Sequence, residues 1–148
     1  MGLLAWLQQA LAGKPPETLH FAPGEEEFSG LNLKEVLEAH LQWKDRLMAL
    51  TSDPQAQRPD PKQVAADQLC TLGKWLYGRG KQEFGNLKEY EQLRQTHIQF
   101  HTTAAAVVRF TESGQTAQAT QLLRGPFRAL SNDIQLHLIS LYSAAQRH

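Results

Sequence analysis

Residues 86–112 read NLKEYEQLRQTHIQFHTTAAAVVRFTE. Tyr90, Arg94, His97, His101, Ala104 or Ala105, and Val108 recur at three- and four-residue steps. That period predicts one long helix, from about Leu87 to Glu112, with these side chains on a shared face. Asn86 followed by Glu89 has the spacing of a helix start, and Ser113-Gly114 is a helix stop. On such a helix His97 and His101 are neighbours in space, a common arrangement for two metal ligands. The two-residue alternation of a half-buried strand is absent throughout the chain, so the expected fold class is all-α.

Upstream, Asp60-Pro61-Lys62-Gln63 opens another helix. Asp60 caps it, Pro61 suits its first position, and Gln63 stands where the reciprocal bond is made. This helix is expected to carry Val64, Asp67, Cys70, Gly73 and Tyr77 down one side and to end at Gly78 and Gly80. Before it, Asn32 and Glu35 have the spacing of a capping box. Leu33, Val36, Leu37, His40, Trp43 or Lys44, Leu47 and Leu50 then point inward together, until Thr51-Ser52-Asp53-Pro54 closes the helix. Beyond the long helix, a short helical segment is expected around Thr116 to Leu123, and Gly125-Pro126 should break or kink the chain. A last helix from about Phe127 to Ala145 turns Leu130, Ile134, Leu138 and Leu141 inward.

These elements predict an antiparallel four-helix bundle over residues 30–146. An arm, residues 1–29, precedes it. The arm carries Leu3, Leu4, Leu7 and Leu11 on one face of a short helix, then Pro15-Pro16 and a linker containing the acidic run Glu25-Glu26-Glu27.

At 148 residues the chain has the size of one ordinary domain, and 41% hydrophobic residues suffice for a core. Lys plus Arg and Asp plus Glu both number 15, a balance that argues against electrostatic binding of nucleic acid. No run approaches the length of a membrane span. The first residues lack the basic start of a secretory signal, Trp6 stands where myristoylation needs Ser or Thr, and one cysteine forms no internal disulfide. A cytoplasmic location is the simplest expectation.

Cys70, the single cysteine, begins the segment Cys70-Thr71-Leu72-Gly73-Lys74-Trp75-Leu76-Tyr77-Gly78. A lone histidine on an apolar face is more often a core residue than a ligand, and a lone cysteine is usually a small buried apolar group. The conjunction differs. His40, Cys70, His97 and His101 fall on the inward faces of three consecutive helices, and together they make a tetrahedral zinc set. Burying the imidazoles without partners would cost a few kcal/mol each, which a metal removes. His20, His137 and His148 fall off this pattern, with His137 expected at the surface.

The phrases Ala39-His40-Leu41-Gln42-Trp43-Lys44, Cys70-x-Leu72-Gly73-x-Trp75-Leu76-Tyr77 and His97-x-x-x-His101 resemble the chemoreceptor zinc-binding (CZB) domain, from about Gly30 to Ala145. The resemblance implies a bacterial cytoplasmic helical bundle that holds one zinc through His40, Cys70, His97 and His101. It also implies a sensory role in chemotaxis or other signal transduction, with a response to zinc or to oxidants such as hypochlorous acid. Homodimers and fusion to chemoreceptors or diguanylate cyclases are further implications. These 148 residues contain no signalling coiled coil or cyclase, so a separate signalling partner is expected.

A zinc-bound Cys70 would be a thiolate and an oxidation target. Asp67 is a candidate to accept a hydrogen bond from a ligand imidazole, or to replace a lost thiolate. Gly73 should permit close approach of a helix or ring, and Trp43 and Trp75 should exclude water from the metal. The expected function is regulatory rather than enzymatic, with a structural zinc bundle used for dimerisation or scaffolding as the alternative. A zinc hydrolase is disfavoured, because four protein ligands leave no open position for water. A dinuclear carboxylate site is disfavoured because the Glu-x-x-His pattern of such bundles is missing from the expected bundle helices.

Overall fold

The computed structural model describes residue 2 and residues 24–53 and 55–147. The leading helix expected over residues 3–11, the Pro15-Pro16 stop, His20, Pro54 and His148 lie outside the described residues.

The described chain is an all-α bundle with one small addition. A two-stranded antiparallel hairpin, β1 (Glu27–Phe28) and β2 (Leu31–Asn32), precedes the helices and pairs Phe28 with Leu31. Its turn is Ser29-Gly30, and both residues have positive φ, as a two-residue hairpin turn requires. Four residues of strand are too few to show a period, so the linker expectation missed them. The hairpin strand β1 thus lies within residues expected to be linker. Phe28 is buried against the rings of Trp75, Phe84 and Tyr142, and the Trp75 Nε1–H donates to the Ser29 carbonyl at 2.9 Å.

Helix α1 spans Leu33–Ser52, and its cap is the expected one: the Asn32 side chain accepts from the Glu35 N–H at 3.0 Å. Leu33, Val36, His40, Leu47 and Leu50 are its buried residues, spaced for one helical face. Helix α5 spans Lys88–Glu112 and buries Tyr90, Leu93, His97, Phe100, His101, Ala104, Ala105, Val107 and Val108. Its N-cap is Leu87 without a side-chain cap bond, so the Asn86 start signal is not used.

The stretch between α1 and α5 departs from the expected single helix. It divides into α2 (Pro61–Ala65), α3 (Thr71–Tyr77) and α4 (Arg79–Phe84). Asp60 caps α2 as expected, accepting from the Lys62 N–H at 3.0 Å, but Ala66 turns extended and ends the helix. A turn follows, and Cys70 becomes the N-cap of α3, its Sγ accepting from the Gly73 N–H at 3.3 Å. Val64, Asp67, Cys70, Gly73 and Tyr77 therefore do not form one helical stripe. These short helices still run antiparallel to α5. Val64 meets His101, Cys70 meets His97, and Leu76 meets Tyr90, whose hydroxyl donates to the Leu76 carbonyl.

After the Gly114 turn, α6 (Thr116–Leu122) leads into a π-helical segment, Leu123–Phe127, and then α7 (Arg128–Gln146). Pro126 is expected to break or kink the chain, yet the widened turn keeps residues 116–146 helical. This returning helix packs along α5, chiefly through α7, and α1 packs on α5 and α6. Ile134, Leu138, Ile139, Leu141 and Ala144 are the buried residues of α7, whereas Leu130 is only partly buried.

Candidate metal centre

Three of the four expected ligands converge. Cys70 Sγ lies 3.2 Å from His97 Nε2 and 3.5 Å from His101 Nε2, and the two Nε2 atoms are 3.1 Å apart. Each element contributes for a local reason. His97 and His101 are one helical turn apart on the inward face of α5, so their rings stand side by side, 4.5 Å between centroids. Cys70 reaches them because the break before α3 releases its side chain from a helical face.

His101 is fixed in orientation. Its Nδ1 lies 2.8 Å from the Val64 carbonyl oxygen. A carbonyl only accepts, so Nδ1 carries the hydrogen and the neutral ring presents the Nε2 lone pair to Cys70. Such a bond on the far nitrogen is the usual support of a ligating imidazole. Sequence reasoning missed this partner, because a backbone carbonyl carries no residue signature.

His40 occupies the next position inward. It is buried on α1 with its ring 4.9 Å from Phe100, and it lines a cavity of about 30 Å³ together with Cys70, Phe100, His101, Trp43 and Leu72. It stands outside the set of three donors that lie within 4.8 Å of one another. His40 Nδ1 and His97 Nδ1 are the two buried side-chain nitrogens without a hydrogen-bond partner among the described residues.

The donor set fits a tetrahedral zinc ion. Zinc–nitrogen bonds near 2.05 Å and zinc–sulfur bonds near 2.3 Å put tetrahedral donors about 3.3 Å (N to N) and about 3.6 Å (S to N) apart. The observed edges, 3.1 Å and 3.2 to 3.5 Å, come close to that tripod. Lone pairs converging on one point repel each other unless a proton or a cation sits among them. Sulfur and imidazole nitrogen are the ligands that zinc prefers.

The electrostatics disfavour charge in the metal-free site. Burial, with the nearby charges of His101 and His40, pushes His97 down to about 3. Burial, with the charge of His101, pushes His40 down to about 4. Burial also lowers His101, against the Val64 bond, which raises it. The Cys70 thiol is raised from its ordinary value near 9, chiefly by burial, while the Gly73 N–H pulls it back.

The other nominated residues fall differently. The Asp67 carboxylate accepts from the Tyr77 hydroxyl at 2.6 Å, not from an imidazole; its backbone carbonyl, 3.7 Å from Sγ, is what faces Cys70. Gly73 admits neither a ring nor a second helix. A Cβ there would overlap the Asp67 carbonyl oxygen and come within 3.0 Å of Gln68 Cα, so Gly73 lets the turn lie on α3. Trp43, half-buried, lines the cavity beside His40, with the Arg46 guanidinium 4.5 Å from its ring centroid. Trp75 packs against the hairpin instead. His137 is half-buried and lines an open groove with Lys88, Glu91 and Gln95, away from the cluster.

Residues 40–108 match the family model of the chemoreceptor zinc-binding domain, CZB. The matched span begins at His40 and contains Cys70, His97 and His101. This family is zinc-binding by description, and the matched span holds the Cys70, His97 and His101 cluster, whose donors could hold a metal ion. No curated protein and no solved structure matches the chain. Among the described residues no helix is long and apolar enough to cross a membrane.

Proposed function

We propose that this chain is a zinc-binding sensory module, not an enzyme. Cys70, His97 and His101 hold the ion, and His40 completes the set from α1. The observation that carries this reading is the convergence of one sulfur and two imidazole nitrogens at 3.1 to 3.5 Å, one ring already anchored by Val64. His40 is assigned because it lines the cavity that opens onto Cys70 and His101 and because its Nδ1 lacks a partner. A small ring movement toward Cys70 would close the tetrahedron.

Cys70 is the ligand whose chemistry can change. Hypochlorous acid transfers chlorine to a thiolate, releasing hydroxide; water then displaces chloride and leaves a sulfenic acid, a two-electron oxidation. The oxidised sulfur is a poorer zinc ligand, and the turn that carries it is freed from α5. The signal would pass to a second copy of the chain or to a separate chemoreceptor-type or diguanylate cyclase partner, in the cytoplasm.

The test is zinc content of the purified protein, followed by zinc release and helix content during titration with hypochlorous acid. One zinc per chain, released in step with Cys70 oxidation, is expected. Zinc retained after Cys70 is oxidised would remove the redox reading. Undiminished zinc affinity in Cys70→Ala would remove the ligand assignment. Sedimentation of the metal-loaded and oxidised protein reports any change in self-association.

A further inference from the structure

The turn between α2 and α3 is the least anchored part of the site. Its backbone makes two local hydrogen bonds, Ala66 N–H to the Gln63 carbonyl at 3.2 Å and Leu69 N–H to the Ala66 carbonyl at 3.3 Å. Gln68 and Leu69 are exposed, so the turn could lift without opening the core. Besides the long contact of Cys70 Sγ with the Asp67 carbonyl at 3.7 Å, one side-chain bond closes it: the Tyr77 hydroxyl, from the last residue of α3, donates to Asp67 Oδ2 at 2.6 Å. This bond ties the turn to the far end of the helix that Cys70 caps. Gly73 lies beneath, bare, so the Asp67 carbonyl rests directly on the first turn of α3.

We propose that the Asp67–Tyr77 hydrogen bond is a latch that holds the turn closed over Cys70, and so sets how fast the thiol meets reagents and how fast a bound metal leaves. Asp67 and Tyr77 are positioning residues. Neither touches the donor atoms with its side chain; the Asp67 charge acts across space on Cys70 and His101, while the hydrogen bond acts through the backbone that places Sγ. The latch also reaches α5, since the Arg94 guanidinium stands beside the Tyr77 phenol and is itself paired with Glu91 at 2.7 Å. Arg94 lies nearly one helical turn before His97, so the two sides of the site are held in register from outside as well as inside. Tyr77 is 42% exposed, which makes the latch accessible to solvent and to a partner surface.

The metal-release half rests on the zinc reading, whereas the thiol half does not. The test therefore uses two readouts on the full chain. The first is the alkylation rate of Cys70 by iodoacetamide in metal-free protein at fixed pH. The second is transfer of bound zinc to a chromophoric chelator in stopped flow. Tyr77→Phe and Asp67→Ala should each speed both processes about fivefold, the effect of losing one hydrogen bond to a charged acceptor at an exposed site. The double variant should be no faster than Asp67→Ala. Asp67→Asn keeps an acceptor for the hydroxyl and should stay within about twofold of the parent chain. Helix content serves as the control for folding and should not move, and the melting temperature should fall by no more than a few degrees, the cost of one hydrogen bond.

Parent rates in Tyr77→Phe for alkylation would overturn the latch. So would an Asp67→Asn variant as fast as Asp67→Ala, because the charge and not the hydrogen bond would then govern Cys70. If the parent chain binds no zinc, the zinc reading fails while the alkylation rates still decide the latch.

Discussion

Zinc binding at pH 6.0 should release fewer than two protons per ion. The count follows from the site's electrostatics. Metal ligation needs a thiolate and neutral imidazoles. His97 is held down to about 3 and His40 to about 4, so these two rings are already neutral in the folded metal-free chain at pH 6.0, and His101 is lowered as well. The Cys70 thiol is raised from its ordinary value near 9 and keeps its proton. That proton has to leave, with the fraction of one that His101 still holds. Were the three imidazoles ordinary, with a pKa near 6.5, each would carry about three quarters of a proton at pH 6.0, and binding would release about three in all. The two cases are separated by titration calorimetry in weakly coordinating buffers of different ionisation enthalpy, where the slope of observed heat against that enthalpy counts protons. The apparent affinity should also rise about tenfold per pH unit between pH 7 and pH 8, the dependence of a single proton. Release of about three protons would show that the rings are charged and hydrated, and the dry, preformed site would be refuted. Release of none would mean that the thiolate already exists without metal.

The metal-free protein should lose stability as it is acidified. His40 and His97 have folded pKa values below their unfolded value near 6.5, so the unfolded chain binds more protons between those limits and stability, complete above pH 6.5, falls as pH falls. Between pH 7.5 and pH 5.0 the loss is about 2 kcal/mol for each ring, read as a drop in the urea midpoint with chelator present; an unchanged midpoint would contradict the burial of these rings. Gly73→Ala should destabilise the fold by about 2 kcal/mol or more and empty the site, because the new methyl meets backbone atoms of Asp67 and Gln68 that cannot rotate away. Gly125→Ala, with nothing within 4 Å of its Cβ, should be neutral or slightly stabilising in the same melt. His40→Ala should weaken zinc binding roughly 100-fold in chelator competition, the upper range for disturbing a metal site, yet leave the metal-free chain no less soluble or helical, since it removes an unpartnered buried nitrogen. Cys70→Ser should keep α3 capped while losing zinc, and Cys70→Ala should lose both, with the metal-free chain less stable than the serine variant by about 1 kcal/mol; equal metal-free stabilities would deny Cys70 its capping role.

The long helices were legible because their inward faces repeat over several turns. Leu33 to Leu50 and Tyr90 to Val108 each offer enough turns for the helical period to be unmistakable, and Asn32 caps α1 as its spacing with Glu35 suggests. The site was legible as far as it depends on those faces: His97 and His101 follow from one helix alone. Periodicity failed at Cys70. Val64, Asp67, Cys70, Gly73 and Tyr77 sit at helical spacing, but the chain uses that spacing for a helix, a turn and a second helix. Cysteine is not among the strong N-cap residues, so nothing at position 70 advertised a helix start. Gly73 was the available signal. A glycine inside an otherwise apolar segment means close approach of backbone, and here the approaching backbone belongs to the turn just before it. The hairpin escaped for another reason: Phe28 and Leu31 are a single inward pair around a turn, too few to show a period.

The break in the helix does more than deliver a ligand. In an unbroken helix Sγ would be held on one face and its backbone neighbours would be spent on the helical ladder. As an N-cap, Sγ accepts the Gly73 N–H that α3 leaves without an intrahelical partner, so the same atom serves the fold and the metal centre. That N–H favours the thiolate, while burial favours the thiol, and burial prevails when no metal is present. A cation among Cys70, His97 and His101 reverses the balance without moving the helix, because the bond to Gly73 suits either charge state. Oxidation is different. An oxygen added to sulfur has to fit where Gly73, His97 and His101 already stand within 3.5 Å, and the backbone with most freedom to give way is the turn held by Tyr77. On the proposed reading, the one metal donor open to oxidation lies at the edge of the turn between α2 and α3, so that a chemical change at one sulfur would be taken up as a movement of backbone on the surface.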